Sequence, residues 1–162
     1  MITEQDRVHL QRCIELASEA LQAGDAPFGS VLVAGSGEVL KEDRNRINSL
    51  EATYHPELAL AQWAAANMSE EARRQAVVYT SGEHCAMCSA AHAWAGLGRI
   101  VYASSSEQLQ HWQQEQGLGG NAPINSLSIN EVAPHIEAQG PVEGLDEQVK
   151  SLHLRAWQQP QS

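Results

Sequence analysis

The chain has 162 residues, enough for one domain with its own apolar core and no need of disulfide staples. Its 20 acidic residues against 10 basic ones give a formal charge of −10, and lysine occurs only at Lys41 and Lys150, so a phosphate-rich polyanion is a poor partner. No apolar run reaches the ~18 residues of a membrane span, the N-terminus shows no secretory pattern, and three cysteines in a reducing compartment favour metal binding or free thiols, which together predict a cytoplasmic protein.

Thr3 and Asp6 read as a helix start, and Leu10, Cys13, Ile14, Ala17, Ala20 and Leu21 follow at helical spacing until Gly24. Cys13 belongs on that apolar face as a small buried hydrophobe. Phe28–Val33 and Glu38–Leu40 flank a glycine-rich turn and predict a β-hairpin. A polar connection from Arg44 to Tyr54 leads to Pro56, which suits the first turn of a helix continued by Leu58, Ala61, Ala64, Ala65 and Met68. His55 and Glu57 therefore sit at a helix N-terminus.

Ala76–Thr80 reads as a buried strand, and from Ala86 the pattern of Met87, Ala90, Ala91, Trp94 and Ala95 is helical, ending at Gly96 and Gly98. Cys85 and Cys88 open this second helix, where i and i+3 share a face and unpaired N–H groups favour thiolates. Further along lie a strand at Ile100–Ala103, a helix from Ser105 to Gln116, a weaker strand at Leu127–Ile129, and a closing helix from Leu145 to Gln159. The glutamines between Gln108 and Gln116 are accounted for by a solvated helix. Strand and helix alternating after an opening hairpin predict a mostly parallel sheet covered on both faces. Helices that follow adjacent parallel strands begin at one sheet edge, which would bring His55 to Cys85 and Cys88.

A borderline cation such as Zn²⁺ takes imidazole and thiolate together, so His55, Cys85 and Cys88 supply three ligands and leave a fourth position for water. Glu57 is placed to handle that water's protons. A closed zinc clip would normally use paired cysteine knuckles, and the chain offers one. A redox reading of Cys85-Ala86-Met87-Cys88 leaves His55 and Glu57 unexplained.

His-x-Glu with a later Cys-x-x-Cys is the pattern of the zinc deaminases. The chain resembles the cytidine deaminase-like superfamily, in the branch that holds guanine, cytosine and tRNA adenosine deaminases. The resemblance covers most of the chain and rests on Ala26–Val33, Ala52–Glu57 and Tyr79–Trp94. Two departures stand out: His84 and Ala86 replace the prolines usual around the first cysteine, and Pro56 replaces an alanine. Neither removes a ligand. His84 reads as a group beside the metal or an exposed filler, with a substrate contact as the alternative.

The resemblance implies a three-layer α/β/α sandwich with a mixed, mostly parallel five-stranded sheet, one domain over residues 1–162, and a homodimer or higher oligomer. It implies Zn²⁺ on His55, Cys85 and Cys88, with metal-bound hydroxide attacking an amino-bearing ring carbon. Glu57 would move the proton first to a ring nitrogen and then to the departing ammonia. Phe28 and Trp94 are candidate stacking faces for the base, each equally readable as core, and Asn45 is a candidate base contact or a turn former. Glu115 and Trp157 match a family acid and aromatic by position alone and stay unassigned.

The expected substrate is a small nucleobase or nucleoside, with an aminopurine such as guanine the first choice. The alternatives are tRNA adenosine at the wobble position, cytosine or cytidine, and more remotely a non-catalytic zinc-binding partner subunit.

Overall fold

A computed structural model describes residues 1–159. Helix α1 (Glu4–Gln22) is followed by β1 (Gly29–Val33), β2 (Val39–Arg44), α2 (Pro56–Asn67), α3 (Glu70–Gln75), β3 (Val77–Gly82) and α4 (Ala86–Trp94). Strand β4 (Ile100–Ser104), α5 (Ser106–Glu115), α6 (Ile129–Val132), β5 (Ala138–Gln139) and α7 (Leu145–Gln158) complete the described residues. The capping box read at Thr3 and Asp6 is present in both directions.

The five strands lie in the order β2-β1-β3-β4-β5. Strand β1 is antiparallel to both neighbours, while β3–β4 and β4–β5 are parallel, so the sheet is mixed and its parallel part is the second half. Helices cover both faces, as expected of an α/β/α sandwich. One apolar cluster joins α1, α5 and α7 to Val31, Val33, Tyr79, Val101 and Ala103. The other joins α2 and α4 to Leu32 and Val78. This is the period-two alternation of strands buried on both sides. Fully buried leucines such as Leu10, Leu32 and Leu60 each contribute about 2 kcal/mol of hydrophobic stabilisation.

Close approach of α1 to the sheet needs a glycine. A Cβ at Gly29 would stand 2.4 Å from the Cys13 carbonyl oxygen and 2.5 Å from Leu16 Cβ.

Three features differ from the sequence reading. Ile129 starts a short helix and not a strand, because Ser128 and Glu131 form a reciprocal capping box that outweighs the β preference of isoleucine. The fifth strand is the two-residue Ala138–Gln139, too short for any alternation to register. Helix α3, capped by Ser69, lies between Met68 and Ala76, where the sequence reading places no element. Among the described residues, no helix is long and apolar enough to cross a membrane.

Candidate metal centre and active-site cleft

Strands β2 and β3 are both antiparallel to β1, so they run in the same direction with β1 between them. The helices that follow them, α2 and α4, therefore begin at the same sheet edge. The convergence foreseen for adjacent parallel strands is reached by strands once removed.

His55 is the N-cap of α2 and Cys85 the N-cap of α4, and neither side chain makes a capping hydrogen bond. Both are left to face one another. His55 Nδ1 is 3.6 Å from the Sγ of Cys85 and 3.6 Å from the Sγ of Cys88. Tetrahedral zinc, with bonds of about 2.3 Å to sulfur and about 2.05 Å to nitrogen, sets nitrogen and sulfur about 3.5 Å apart. All three ligand atoms lie within 4.8 Å of one another. The donor set fits a metal ion of that size and softness.

The electrostatics set the two sulfurs apart. The Cys85 thiol is pushed down to about 4, chiefly by its hydrogen bond with Cys88, with His55 adding to the effect against burial. Cys88 is pushed up by the same bond and by burial. The His55 imidazole is raised, first by its hydrogen bond with Cys85. Two helix N-termini, each with outward N–H groups, stabilise negative charge on the sulfurs.

Glu57 lies in the first turn of α2 and is 5% exposed. Burial raises its pKa, while a hydrogen bond from the Thr80 hydroxyl to Oε1, at 2.8 Å, opposes the rise. Its carboxyl opens on a cavity of ≈870 Å³, whose wall includes His55, Cys85, Phe28 and Asn45.

Phe28 thus reaches the cleft, its ring held edge-on by His153 at 5.0 Å between centroids. Gly82 leaves room for it, since a Cβ there would come within 3.1 Å of the ring. Asn45 is 2% exposed, and its Oδ1 accepts from the Ile47 amide at 3.0 Å. That is the turn-forming role, and it leaves the Nδ2 donors without a partner among the described residues.

Trp94 is placed elsewhere. It ends α4, is 91% exposed, and does not line the cavity. Nine helical residues rise about 13 Å, enough to carry it away from the metal end. The reading of Trp94 as a stacking face is corrected on that ground. His84 is neither exposed nor a cavity residue: it is fully buried, edge-on to His92 at 5.4 Å, with both ring nitrogens unpaired among the described residues. Burial holds it well below the ordinary histidine value. Glu115 pairs with His111 at 2.9 Å and stays outside the cavity.

Several wall residues were not foreseen. Gln110, Gln113 and Gln114 share one face of α5 and line the cavity, as do residues 119–122 and 124–127 of the following loop. Glu83 ties these parts together. Its Oε1 accepts from the Ser106 amide at 2.9 Å and its Oε2 from the Ile129 amide at 2.8 Å, so one carboxylate, two residues before Cys85, anchors the starts of α5 and α6. Charge at a helix start was the available signal, but the helices lie far along the chain from Glu83.

Residues 3–104 match the family described as the cytidine and deoxycytidylate deaminase zinc-binding region. A probable cytosine deaminase of Schizosaccharomyces pombe is 33% identical over 144 residues, 86% of this chain and 86% of that protein. The guanine deaminase of Bacillus subtilis is 33% identical over 97 residues, 59% of this chain and 62% of the enzyme. tRNA-specific adenosine deaminases are further relatives. Among solved structures, a guanine deaminase of Nitrosomonas europaea superposes with a TM-score of 0.71 at 18% identity, over 96% of this chain and 85% of that one, which is a shared fold. The converging ligand set, the buried glutamate and the matched zinc-binding region agree: the chain belongs to the cytidine and deoxycytidylate deaminase family, hydrolytic enzymes that break a carbon–nitrogen bond.

Proposed function

We propose that residues 1–162 form one zinc-dependent deaminase domain that acts on a small aminated heteroaromatic base, with guanine the first compound to test. The observation that carries this reading is a single cavity holding His55, Cys85 and Glu57 together, with no lysine or arginine on its wall. No lysine or arginine is there to pair with a phosphate-bearing substrate. A flat, uncharged base would meet hydrogen-bonding amides and one aromatic face.

Zinc, when bound by His55, Cys85 and Cys88, supplies Lewis acidity and makes hydroxide available near neutral pH. The chain's own residues do the rest. Glu57 accepts a proton from the attacking water and delivers it to a ring nitrogen of the base, then takes the remaining proton from the new hydroxyl and passes it to the leaving amine. Water adds to the amino-bearing carbon, ammonia departs, and a carbonyl remains. Phe28 offers a face for the ring to stack on, and the Asn45 amide donates to an acceptor on its edge.

A second reading, cytosine, is favoured by the S. pombe relative, whose similarity spans 86% of the chain. Ammonia release measured across guanine, cytosine, adenine, their nucleosides and aminotriazines separates the two. Fastest turnover of guanine supports the purine choice; none of guanine beside rapid turnover of cytosine overturns it. The chain is further proposed to work as a homodimer, which would give Trp94 and the 64% exposed Leu50 a surface to cover them. Sedimentation at micromolar concentration tests this, and a monomer contradicts it.

A further inference from the structure

We propose that Thr80, braced by Ser30, is a positioning residue for Glu57: a hydroxyl fixed in the sheet holds one carboxyl oxygen so that the other is aimed at the reacting groups. The inference rests on the deaminase reading and adds to it a part of the sheet that the metal site itself does not include.

Ser30 on β1 and Thr80 on β3 are direct partners in the antiparallel register. Strand alternation puts them on the face that carries Leu32 and Val78, the face against which α2 packs. The first turn of α2 brings Glu57 onto them. Ser30 Oγ donates to Thr80 Oγ1 at 2.9 Å, and Thr80 Oγ1 donates to Glu57 Oε1 at 2.8 Å. Ser30 and Thr80 are fully buried and Glu57 is 5% exposed, so water does not compete for these bonds. Oε2 of Glu57 has no side-chain partner among the described residues.

Thr80 has one hydroxyl proton and a second acceptor within reach, the Gly82 carbonyl oxygen at 2.9 Å. Because Ser30 already donates to Thr80 Oγ1, the Thr80 proton is free to be given to Oε1 of Glu57. Two buried polar strand residues are costly unless paired, and here their pairing ends on the group that moves protons. A carboxyl loosened by about 1 Å loses on the order of 10²-fold in rate, so anchoring is worth a measurable factor.

The test uses the zinc-loaded protein and the base turned over fastest in the ammonia-release panel. Thr80→Val keeps the shape and removes the hydroxyl. It lowers kcat about tenfold, leaves KM within about twofold and leaves the zinc content unchanged; Thr80→Ser restores kcat to within about threefold of wild type. Ser30→Ala, which removes only the brace, lowers kcat about threefold, and it decides the matter should Thr80→Val not fold. A readout independent of turnover is thermal melting of the zinc-free protein. Thr80→Val lowers the midpoint by about 3 °C, and by less than half as much in a Glu57→Ala background, where no carboxyl remains to be held.

The proposal is overturned by a kcat within twofold of wild type in the hydroxyl-free variants, by KM rising in step with the fall in kcat, or by equal melting shifts in the two backgrounds. Failure of the deaminase reading looks different. Glu57→Gln would then be as active as wild type, whereas a dead Glu57→Gln beside a normal Thr80→Val removes only the role of Thr80.

Discussion

His55 Nδ1 stands 3.6 Å from Cys88 Sγ, although 33 positions separate the two residues in the chain. The contact exists because α2 and α4 start at one sheet edge, and because neither His55 nor Cys85 spends its side chain on capping its own helix. A residue at an N-cap usually bonds the free N–H groups of the first turn. Here both N-caps turn to each other, and the buried Glu57 sits two residues into one of the helices.

Glu57→Gln preserves size and hydrogen bonding to Thr80 but cannot accept and return a proton. Turnover of the best base falls by about 10³-fold, with zinc content equal to that of wild type. Steady-state ammonia release beside metal analysis checks both halves. Loss of zinc in the variant would mean that Glu57 is a ligand and not the proton carrier.

Substrate contacts should divide by location. Phe28→Ala and Asn45→Ala, both on the cavity wall, raise KM about tenfold through a lost stacking face and lost donors. Trp94→Ala, 91% exposed at the far end of α4, leaves kcat and KM within about twofold. Equal damage from all three would place Trp94 in a site completed across subunits.

Asp6 carries a stability prediction. It is 3% exposed and accepts from the Thr3 amide at 2.9 Å, the Tyr79 hydroxyl at 2.7 Å and Arg99 Nη2 at 3.1 Å. Burial alone would raise its pKa; these bonds and the Arg99 charge outweigh burial and hold it well below the usual carboxylate value. Its folded pKa is lower than its unfolded one, so its contribution is complete above the unfolded value and is lost as pH falls through the folded value. Asp6→Asn costs about 2–3 kcal/mol at neutral pH, and the gap to wild type narrows between about pH 5 and about pH 2. Urea unfolding along that range measures it, and a gap independent of pH contradicts the assignment.

Net charge bears on macromolecular substrates. With −10 overall and a cavity wall free of lysine and arginine, filter binding to tRNA at low salt gives no retention that salt then removes. Salt-sensitive retention at micromolar protein would move the reading towards the tRNA deaminases.

What could be read from residues alone was whatever is signalled locally. Pro56 at a first helical turn, with His55 before it and Glu57 after it, announces its own geometry, and so does a Cys-x-x-Cys opening a helix. Thr80 gave no such sign, because a threonine within an apolar strand looks the same whether or not a carboxylate waits on the other side. The α5 glutamines read as a solvated helix because polarity looks alike on a cavity wall and on an outer face. For Trp94 the apolar stripe leaves core and stacking face equally open and the family resemblance tilts towards stacking, because a stripe shows which side of a helix is apolar and not where along its length the neighbouring layer stops. Glu83 joins elements far apart in sequence, and no local pattern carries that.

The most direct test is zinc content with activity on the purified protein, beside Cys88→Ser. About one zinc per wild-type chain is expected, with ammonia release that a chelator abolishes and added zinc restores, and neither metal nor turnover in Cys88→Ser. Wild-type protein that is metal-free and indifferent to added zinc, yet still deaminates, would contradict it.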